Sequence, residues 1–200
     1  MKCRVCGDEA VIKLPSHHTA FCREHFNDFF LRRVDKTIRK FDMFTHDEHI
    51  IVAVSGGKDS MVLWRVLIEL GYETEGIFID LAIEPNSVLA REKCEHFAAK
   101  NNAELHIADI REYIGASIAQ VAHATPKPIC SICGMIKRYI LNQKAKEIEG
   151  KAIATGHNLD DEAARLMGNV LHWQNSHISR QFPVLEEYDG MMRKVKPLIR

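Results

Sequence analysis

Six cysteines and one glycine-rich loop are the residues of this 200-residue chain best equipped for chemistry. The cysteines are Cys3, Cys6, Cys22, Cys94, Cys130 and Cys133, and four of them make two C-x-x-C pairs. The start, Met-Lys-Cys-Arg-Val-Cys, carries charge and thiols where a secretory leader has an apolar stretch, so a soluble cytoplasmic protein is expected. In that setting such pairs point to metal or redox chemistry rather than structural disulfides. Fifteen residues after Cys6 comes Cys22-Arg-Glu-His25. Two short-spaced ligand pairs joined by a loop match a closed tetrahedral zinc site of three thiolates and one imidazole. The segment between them is too poor in apolar residues to fold without metal. His17 and His18 are less regularly spaced and read as solvated loop residues or RNA contacts.

The second source of chemistry is Ser55-Gly-Gly-Lys-Asp-Ser60, which follows the apolar strand 49–54 and opens a helix over 61–70. Gly56 and Gly57 let backbone N–H groups approach a phosphate, and the helix N-terminus adds its dipole. Ser55 and Ser60 offer hydroxyls, and Lys58 a positive charge. The P-loop pattern G-x-x-x-x-G-K-[ST] is absent. Further on, Cys130 and Cys133 lie on a Pro-rich loop (Thr125-Pro-Lys-Pro128) entering a helix, with Lys137 one turn beyond Cys133. A helix N-terminus favours reactive or metal-binding thiolates. Thr155-Gly-His-Asn-Leu-Asp-Asp-Glu162 follows another strand. Asp160 and Asp161 stand where a carboxylate can hold Mg²⁺ against a triphosphate, while Asn158 or Asp160 can cap the helix. Cys94, isolated on a mid-chain helix, reads as a core residue.

The elements that must position these groups alternate. Strands are expected at 49–54, 75–80, 104–107 and 152–155. Helices are expected at 24–44, 61–70, 86–101, 111–123 and 131–149, with Gly150 closing the last. Arg193–Arg200 reads as a strand inside a domain rather than a terminus, so the fold is expected to be incomplete at its C-terminus. This pattern predicts an α/β doubly wound parallel sheet with ligands at the strand C-terminal ends. The expected division is a zinc ribbon over 1–27, a connecting amphipathic helix over 28–46 and an ATP-binding domain over 47–200. A chain of this length can bury roughly 70% of its unfolded surface. Its composition, 46% hydrophobic and 27% charged, excludes disorder and a disulfide miniprotein. No apolar run reaches the ~20 residues of a membrane helix. The charge is zero overall but uneven, with net +3 over 1–46, −7 over 47–110 and +4 over 111–200. The two ends can meet a polyanion, and the helix face bearing Arg32, Arg33, Lys36, Arg39 and Lys40 is either a solvated face or a phosphate-binding strip.

The amino-terminal knuckle, S-G-G-K-D-S, Cys130-Ser-Ile-Cys-Gly-Met-Ile-Lys-Arg-Tyr139 and Gly156-His-Asn-Leu-Asp-Asp-Glu162 occur in one order across essentially the whole chain. Together they resemble the tRNA 2-thiolation enzymes, a branch of the PP-loop N-type ATP pyrophosphatases. The likeness is greatest to those acting on 5-methyluridine, with cytidine- and wobble-uridine-thiolating enzymes as cousins. The resemblance implies that Cys3, Cys6, Cys22 and His25 bind Zn²⁺. It implies that Ala53, Ser55, Gly56, Gly57, Lys58, Asp59, Ser60, Ile79, Lys137, Gly156 and Asp161 surround ATP and Mg²⁺. Lys137, Asp161 and Asp59 are then the catalytic residues. Cys130 and Cys133 match two ligands of a 4Fe-4S cluster whose third cysteine has no counterpart here, since none follows Cys133. The implied reaction adenylates a uridine O2 and replaces it with sulfur. A persulfide route through Cys130 and Cys133 on another tRNA position, or an inert nucleotide- or RNA-binding fragment, are the alternatives. The implied partners are tRNA, a thiocarboxylated ubiquitin-like sulfur carrier and a second copy of the chain, with no membrane.

Overall fold

The β-branched run Ile50–Val54 has no polar residue to turn toward water, so it must be covered on both faces. It forms the central strand, β3, of a six-stranded sheet. The computed structural model describes residues 1–124, 126, 128–178 and 181–200. Thr125 and Lys127 of the Pro-rich loop lie outside them. Ahead of β3 come a two-stranded antiparallel ribbon, β1 (Ile12–Leu14) and β2 (Thr19–Phe21), and the helix α1 (Arg23–Lys40). The ribbon and α1 share residues, because His25 sits in the first turn of the helix.

After β3 the chain alternates through α2 (Lys58–Glu69), β4 (Thr74–Asp80), α3 (Asn86–Asn101) and β5 (Leu105–Asp109). It continues with α4 (Ile110–Ile114), α5 (Ile118–His123), α6 (Ile129–Glu147), β6 (Ala152–Thr155), α7 (Leu159–Leu171) and α8 (Asn175–Ile178). Two short strands, β7 (Val184–Leu185) and β8 (Lys194–Val195), complete the sheet in the order β5-β4-β3-β6-β8-β7. All neighbours are parallel except β7 against β8. The chain runs outward from β3 to β5 and then returns to the other side of β3 with β6. The reversal leaves a crevice between the C-terminal ends of β3 and β6, where open α/β sheets bind ligands. One buried cluster, with Val52, Val54, Leu63, Trp64 and Cys94, fills the face under α1, α2 and α3. Another, with Ile51, Ile77, Ile132, Ile136, Ile140 and Ile153, fills the face under α6. Helices on both faces make the sheet doubly wound.

Three local expectations are corrected. The helix expected over 111–123 is two helices, because Gly115 takes φ +69 and Ser117 caps a new start through a capping box with Gln120. Gly150 does not close α6. The left-handed residue is Glu149 (φ 56), and Gly150 is small because a Cβ there would lie 2.3 Å from Ile51 Cγ1. The helix expected to reach 44 stops at Lys40, and Met43 and Phe44 turn into the core instead. The segment 193–200 contributes only the two residues of β8 to the sheet.

Candidate active site and metal centre

The turn between β3 and α2 is held by its own hydroxyls. Ser60 Oγ accepts from the Ser55 N–H at 3.2 Å and donates to the Gly57 carbonyl at 3.0 Å. Gly57 is the N-cap of α2 and brings no side chain to cap it, so the first N–H groups of the helix lack a side-chain acceptor. An anion would complete them. Two glycines are required by contact. Gly56 has φ +70, and a Cβ there would stand 2.8 Å from the Ala90 carbonyl oxygen of α3. At Gly156, just past β6, a Cβ would stand 2.7 Å from the Ser60 nitrogen. The strand end and the loop therefore touch backbone to backbone.

Beside this contact opens a cavity of about 1530 Å³. Of the eleven residues the sequence suggests for the nucleotide, nine line it: Ala53, Ser55, Gly57, Asp59, Ser60, Ile79, Lys137, Gly156 and Asp161. Gly56 lies behind the loop against α3. Lys58 is exposed and turned onto Asp59, its Nζ donating to both carboxylate oxygens at 2.9 and 3.0 Å. That hydrogen bond, with the fields of Asp59, Asp161 and Asp160, holds the Lys58 pKa above the usual lysine range. Asp161 has two duties in the structure. It lines the cavity, and its Oδ2 accepts from the Asn158 N–H at 3.0 Å while Asn158 Oδ1 accepts from the Asp161 N–H at 3.1 Å. Asn158, not Asp160, is the cap of α7.

Cys130 sits in the first turn of α6 and is exposed, and Cys133 begins the second turn and is half-buried. The cavity wall begins just beyond them with Gly134, Lys137 and Arg138, so the thiols stand at its edge rather than in it. Cys94 is fully buried on α3, on the other face of the sheet. Burial pushes its thiol up to about 11, as befits a core residue. No third thiol therefore lies beside the pair among the described residues, and the residues present do not complete an iron–sulfur cluster.

The ribbon is different. Cys3, Cys6, Cys22 and His25 bring their ligand atoms within 4.8 Å of one another. Cys6 Sγ and Cys22 Sγ are 3.8 Å apart, and His25 Nδ1 is 3.8 Å from Cys3 Sγ and 3.1 Å from Cys22 Sγ. The ligand–ligand edge of a tetrahedron with bonds of ~2.0–2.3 Å is about 3.3–3.8 Å. The four atoms thus outline a tetrahedral cation site. Burial opposes ionisation of Cys3, but the backbone N–H groups of Cys6 and Cys22 outweigh it and hold that thiol down to about 6.

Among the cavity residues that the sequence reading does not single out are Arg138, His157, Arg165 and Lys194. His157 is held below the usual imidazole range by burial and then by Lys194 and Arg165, and its Nδ1 lies 2.9 Å from Thr155 Oγ1. Its place inside Gly-His-Asn, and that of Arg138 beside Lys137, were visible signals. Lys194 had none, since Arg-Lys-Val-Lys reads only as a strand.

Residues 2–27 match the family model of the 2-thiouridine synthetase TtuA, N-terminal LIM domain, and residues 27–172 match that of the PP-loop domain. The chain is 43% identical over 201 residues to the tRNA-5-methyluridine(54) 2-sulfurtransferase of Thermotoga maritima, covering all of this chain and 66% of that protein. It is 44% identical over 200 residues to the Thermus thermophilus protein of the same name, again over its whole length and 62% of the relative. The chain thus spans a little under two thirds of these relatives. Its structure superposes with a TM-score of 0.86, at 28% identity, on the U34-tRNA thiolase NcsA of Methanococcus maripaludis, which was solved with its 4Fe-4S cluster. That match covers 99% of this chain and 66% of NcsA. With the loop, the crevice and the ribbon where these matches require them, the chain belongs to the PP-loop family, in the branch that carries the TtuA type of amino-terminal domain.

Proposed function

We propose that this chain is the ATP-binding and base-activating part of a tRNA 2-thiolation enzyme acting on the T-loop 5-methyluridine. The observation that carries the reading is a single cavity lined by the phosphate loop, Lys137 and Asp161, with a cysteine pair one helical turn from Lys137. The named relatives support the same substrate and chemistry.

ATP enters with its phosphates on the backbone N–H groups of residues 56–60 and its adenosine toward Ala53, Ile79 and Gly156. The uridine O2 attacks the α-phosphorus and pyrophosphate leaves, so a carbonyl oxygen becomes the leaving group of an adenylate. Lys137 neutralises the negative charge that builds on the phosphates during that step. Asp59 and Asp161 would hold Mg²⁺, which when bound screens the triphosphate and stabilises the departing pyrophosphate. Sulfur carried at the Cys130/Cys133 pair then attacks C2, and AMP leaves. Two thiols alone do not complete a cluster. The same observation favours a second reading, in which a persulfide on one cysteine delivers its outer sulfur to C2. The other cysteine then closes a disulfide that a cellular thiol reduces.

In this reading Cys3, Cys6, Cys22 and His25 hold Zn²⁺ and only build the ribbon of residues 1–27. The helix over 28–46 joins it to the ATP-binding domain over 47–200. The working partners are tRNA, a thiocarboxylated ubiquitin-like sulfur donor and a second copy of the chain, and the setting is the cytoplasm. No helix among the described residues is long and apolar enough to cross a membrane.

The test is ATP–pyrophosphate exchange dependent on unmodified tRNA, in the full-length protein. Asp59→Ala, Lys58→Ala and Lys137→Ala are each expected to lower exchange at least 100-fold, as loss of a charge-stabilising group does. Cys130→Ala should keep exchange and lose thiolation, so that the adenylate accumulates. Undiminished exchange in both loop variants would remove the phosphate-loop assignment. Anaerobic purification tests the persulfide route, since a persulfide brings neither iron nor the broad visible absorbance of a cluster.

A further inference from the structure

The cavity is larger than one nucleotide needs. Small-molecule sites typically occupy ~300–1,000 Å³, against about 1530 Å³ here. Besides the residues suggested for the nucleotide, Arg138 of α6, Arg165 of α7 and Lys194 of β8 line the wall. Lys194 is paired with Ile153 of β6, and Val195 beside it is buried in the core under α1, α2 and α3. Side chains alternate along a strand, so Lys194 points to the opposite face, toward α6. The phosphate loop follows β3, two strands from β8, roughly 10 Å away at ~4.8 Å per strand.

These three cations have no committed counter-charge. Among the described residues, no carboxylate oxygen lies within 4.0 Å of any of them. The acids nearby are engaged elsewhere: Glu162 is 2.9 Å from Lys196, Glu186 is 3.3 Å from Arg193, and Asp161 accepts from the Asn158 N–H. Burial, then the fields of Lys196, Arg165 and Arg138, lowers the Lys194 pKa to about 8. A half-buried lysine facing two arginines without an acid is unfavourable until an anion arrives. Arg138 and Arg165 are exposed at the mouth and Lys194 lies deeper, so the anion is approached from outside.

We propose that Arg138, Arg165 and Lys194 form a phosphodiester subsite that grips the polynucleotide backbone beside the base being modified, apart from the phosphates of ATP. The inference rests on the tRNA reading above and refines it. A base in a folded RNA reaches O2 chemistry only when turned out of its stack. Its flanking phosphate then stays at the cavity mouth, where the two arginines stand, and Lys194 reaches it from within.

The experiment compares the full-length wild type with Lys194→Met, Arg165→Gln, the double variant and Lys194→Arg. Two affinities are measured for each, that for ATP and that for an unmodified tRNA transcript across a salt series. The double variant is expected to bind tRNA at least ten-fold more weakly. Its slope of log K against log salt should be shallower by about 1–2, one per lost phosphate contact. ATP affinity should stay within two-fold, and Lys194→Arg should bind tRNA like the wild type. An equal loss of ATP affinity would assign the cations to the triphosphate and overturn the proposal, as would unchanged tRNA affinity and slope. A wild type that binds ATP but no tRNA would instead remove the tRNA reading on which the subsite rests.

Discussion

The ribbon and the cavity organise their polar groups in opposite ways. In the ribbon four ligand atoms lie within 4.8 Å of one another, with two three-residue strands around them. In the cavity the acids and bases stand around about 1530 Å³ of space, and their positions are set by a sheet packed on both faces. The ribbon has almost no apolar interior, Cys3, Ala20 and Phe21 being its buried hydrophobic residues. Its four candidate ligands therefore take the place of a core, and a bound ion would stand in for the missing apolar contacts. The cavity residues decorate a fold that exists without them. A substitution in the first region should cost structure, and one in the second should cost chemistry.

The largest expected effect tests the first half of that contrast. Structural zinc contributes ~10–16 kcal/mol in isolated fingers, so Cys22→Ala should release the ion and unfold residues 1–21. The sheet should keep its own unfolding transition. Metal content and limited proteolysis read the two outcomes separately. A variant that still held one equivalent of zinc would dissolve the proposed ligand set.

The second prediction attacks the other half. Lys196 and Glu162 are both buried, with side chains 1% and 8% exposed, and meet at 2.9 Å as charges rather than as an aligned hydrogen bond. They tie the residue that follows β8 to α7, and β8 and α7 carry Lys194 and Asp161. Lys196→Met strands a buried carboxylate, which typically costs 3–5 kcal/mol, or roughly 6–20 °C in Tm for a domain of this size. Lys196→Met combined with Glu162→Leu should recover most of the loss, since apolar replacement of both charges is often neutral. If the single variant melts with the wild type, the cavity wall is less dependent on its buried polar pair than the geometry implies.

A smaller effect follows from Lys194. Burial and neighbouring cations give it a folded pKa of about 8, below the 10.5 of a free lysine. Unfolding therefore takes up a proton between those values. The stability that deprotonated Lys194 allows is complete above pH ~10.5 and is lost as the pH falls through 8. Relative to Lys194→Met, the wild type should lose about 2–3 kcal/mol between pH 10.5 and pH 7. Urea midpoints of the two proteins measure the difference. At pH 7 the variant should be the more stable, the pattern of a site that gives up stability for binding. Parallel pH curves would mean that Lys194 is already paired in the free protein.

How much of this was legible in the sequence depended on range. Local signals were read well. The helix over 86–101 and the strand over 152–155 have the bounds expected, and Cys3, Cys6, Cys22 and His25, paired by their spacing, come within 4.8 Å of one another. The phosphate loop was legible because strand, glycines and helix are contiguous. What depended on tertiary contact was not. Gly150 looks like a helix stop, yet its smallness serves Ile51, about a hundred residues earlier. The break at Gly115 was masked by apolar residues on both sides, which continue a helical period that the backbone does not follow. Lys194 and Lys196 differ by two positions, and only packing decides that one lines a cavity and the other meets Glu162.

The smallest effect concerns the residue where the two kinds of role overlap. Asp161 accepts from the Asn158 N–H and also faces the nucleotide cavity, so capping alone could explain it. Asn158→Ala removes the side-chain cap of α7 and should cost about 1 kcal/mol, with exchange kept within a few-fold because the carboxylate remains. Asp161→Asn keeps an oxygen that can accept from the same N–H. Its stability should change by no more than about 0.5 kcal/mol, near the limit for surface substitutions. What it loses is the negative charge that faces the cavity and contributes to the field on Lys58. Pyrophosphate exchange should then fall at least 100-fold, a loss of about 2.7 kcal/mol in transition-state stabilisation. The two variants should therefore separate cleanly, one losing stability with its activity kept, the other losing activity with its stability intact. If Asp161→Asn behaved like Asn158→Ala, with exchange retained and stability lost, Asp161 would be a capping residue. The carboxylate for the metal would then have to be Asp59 alone.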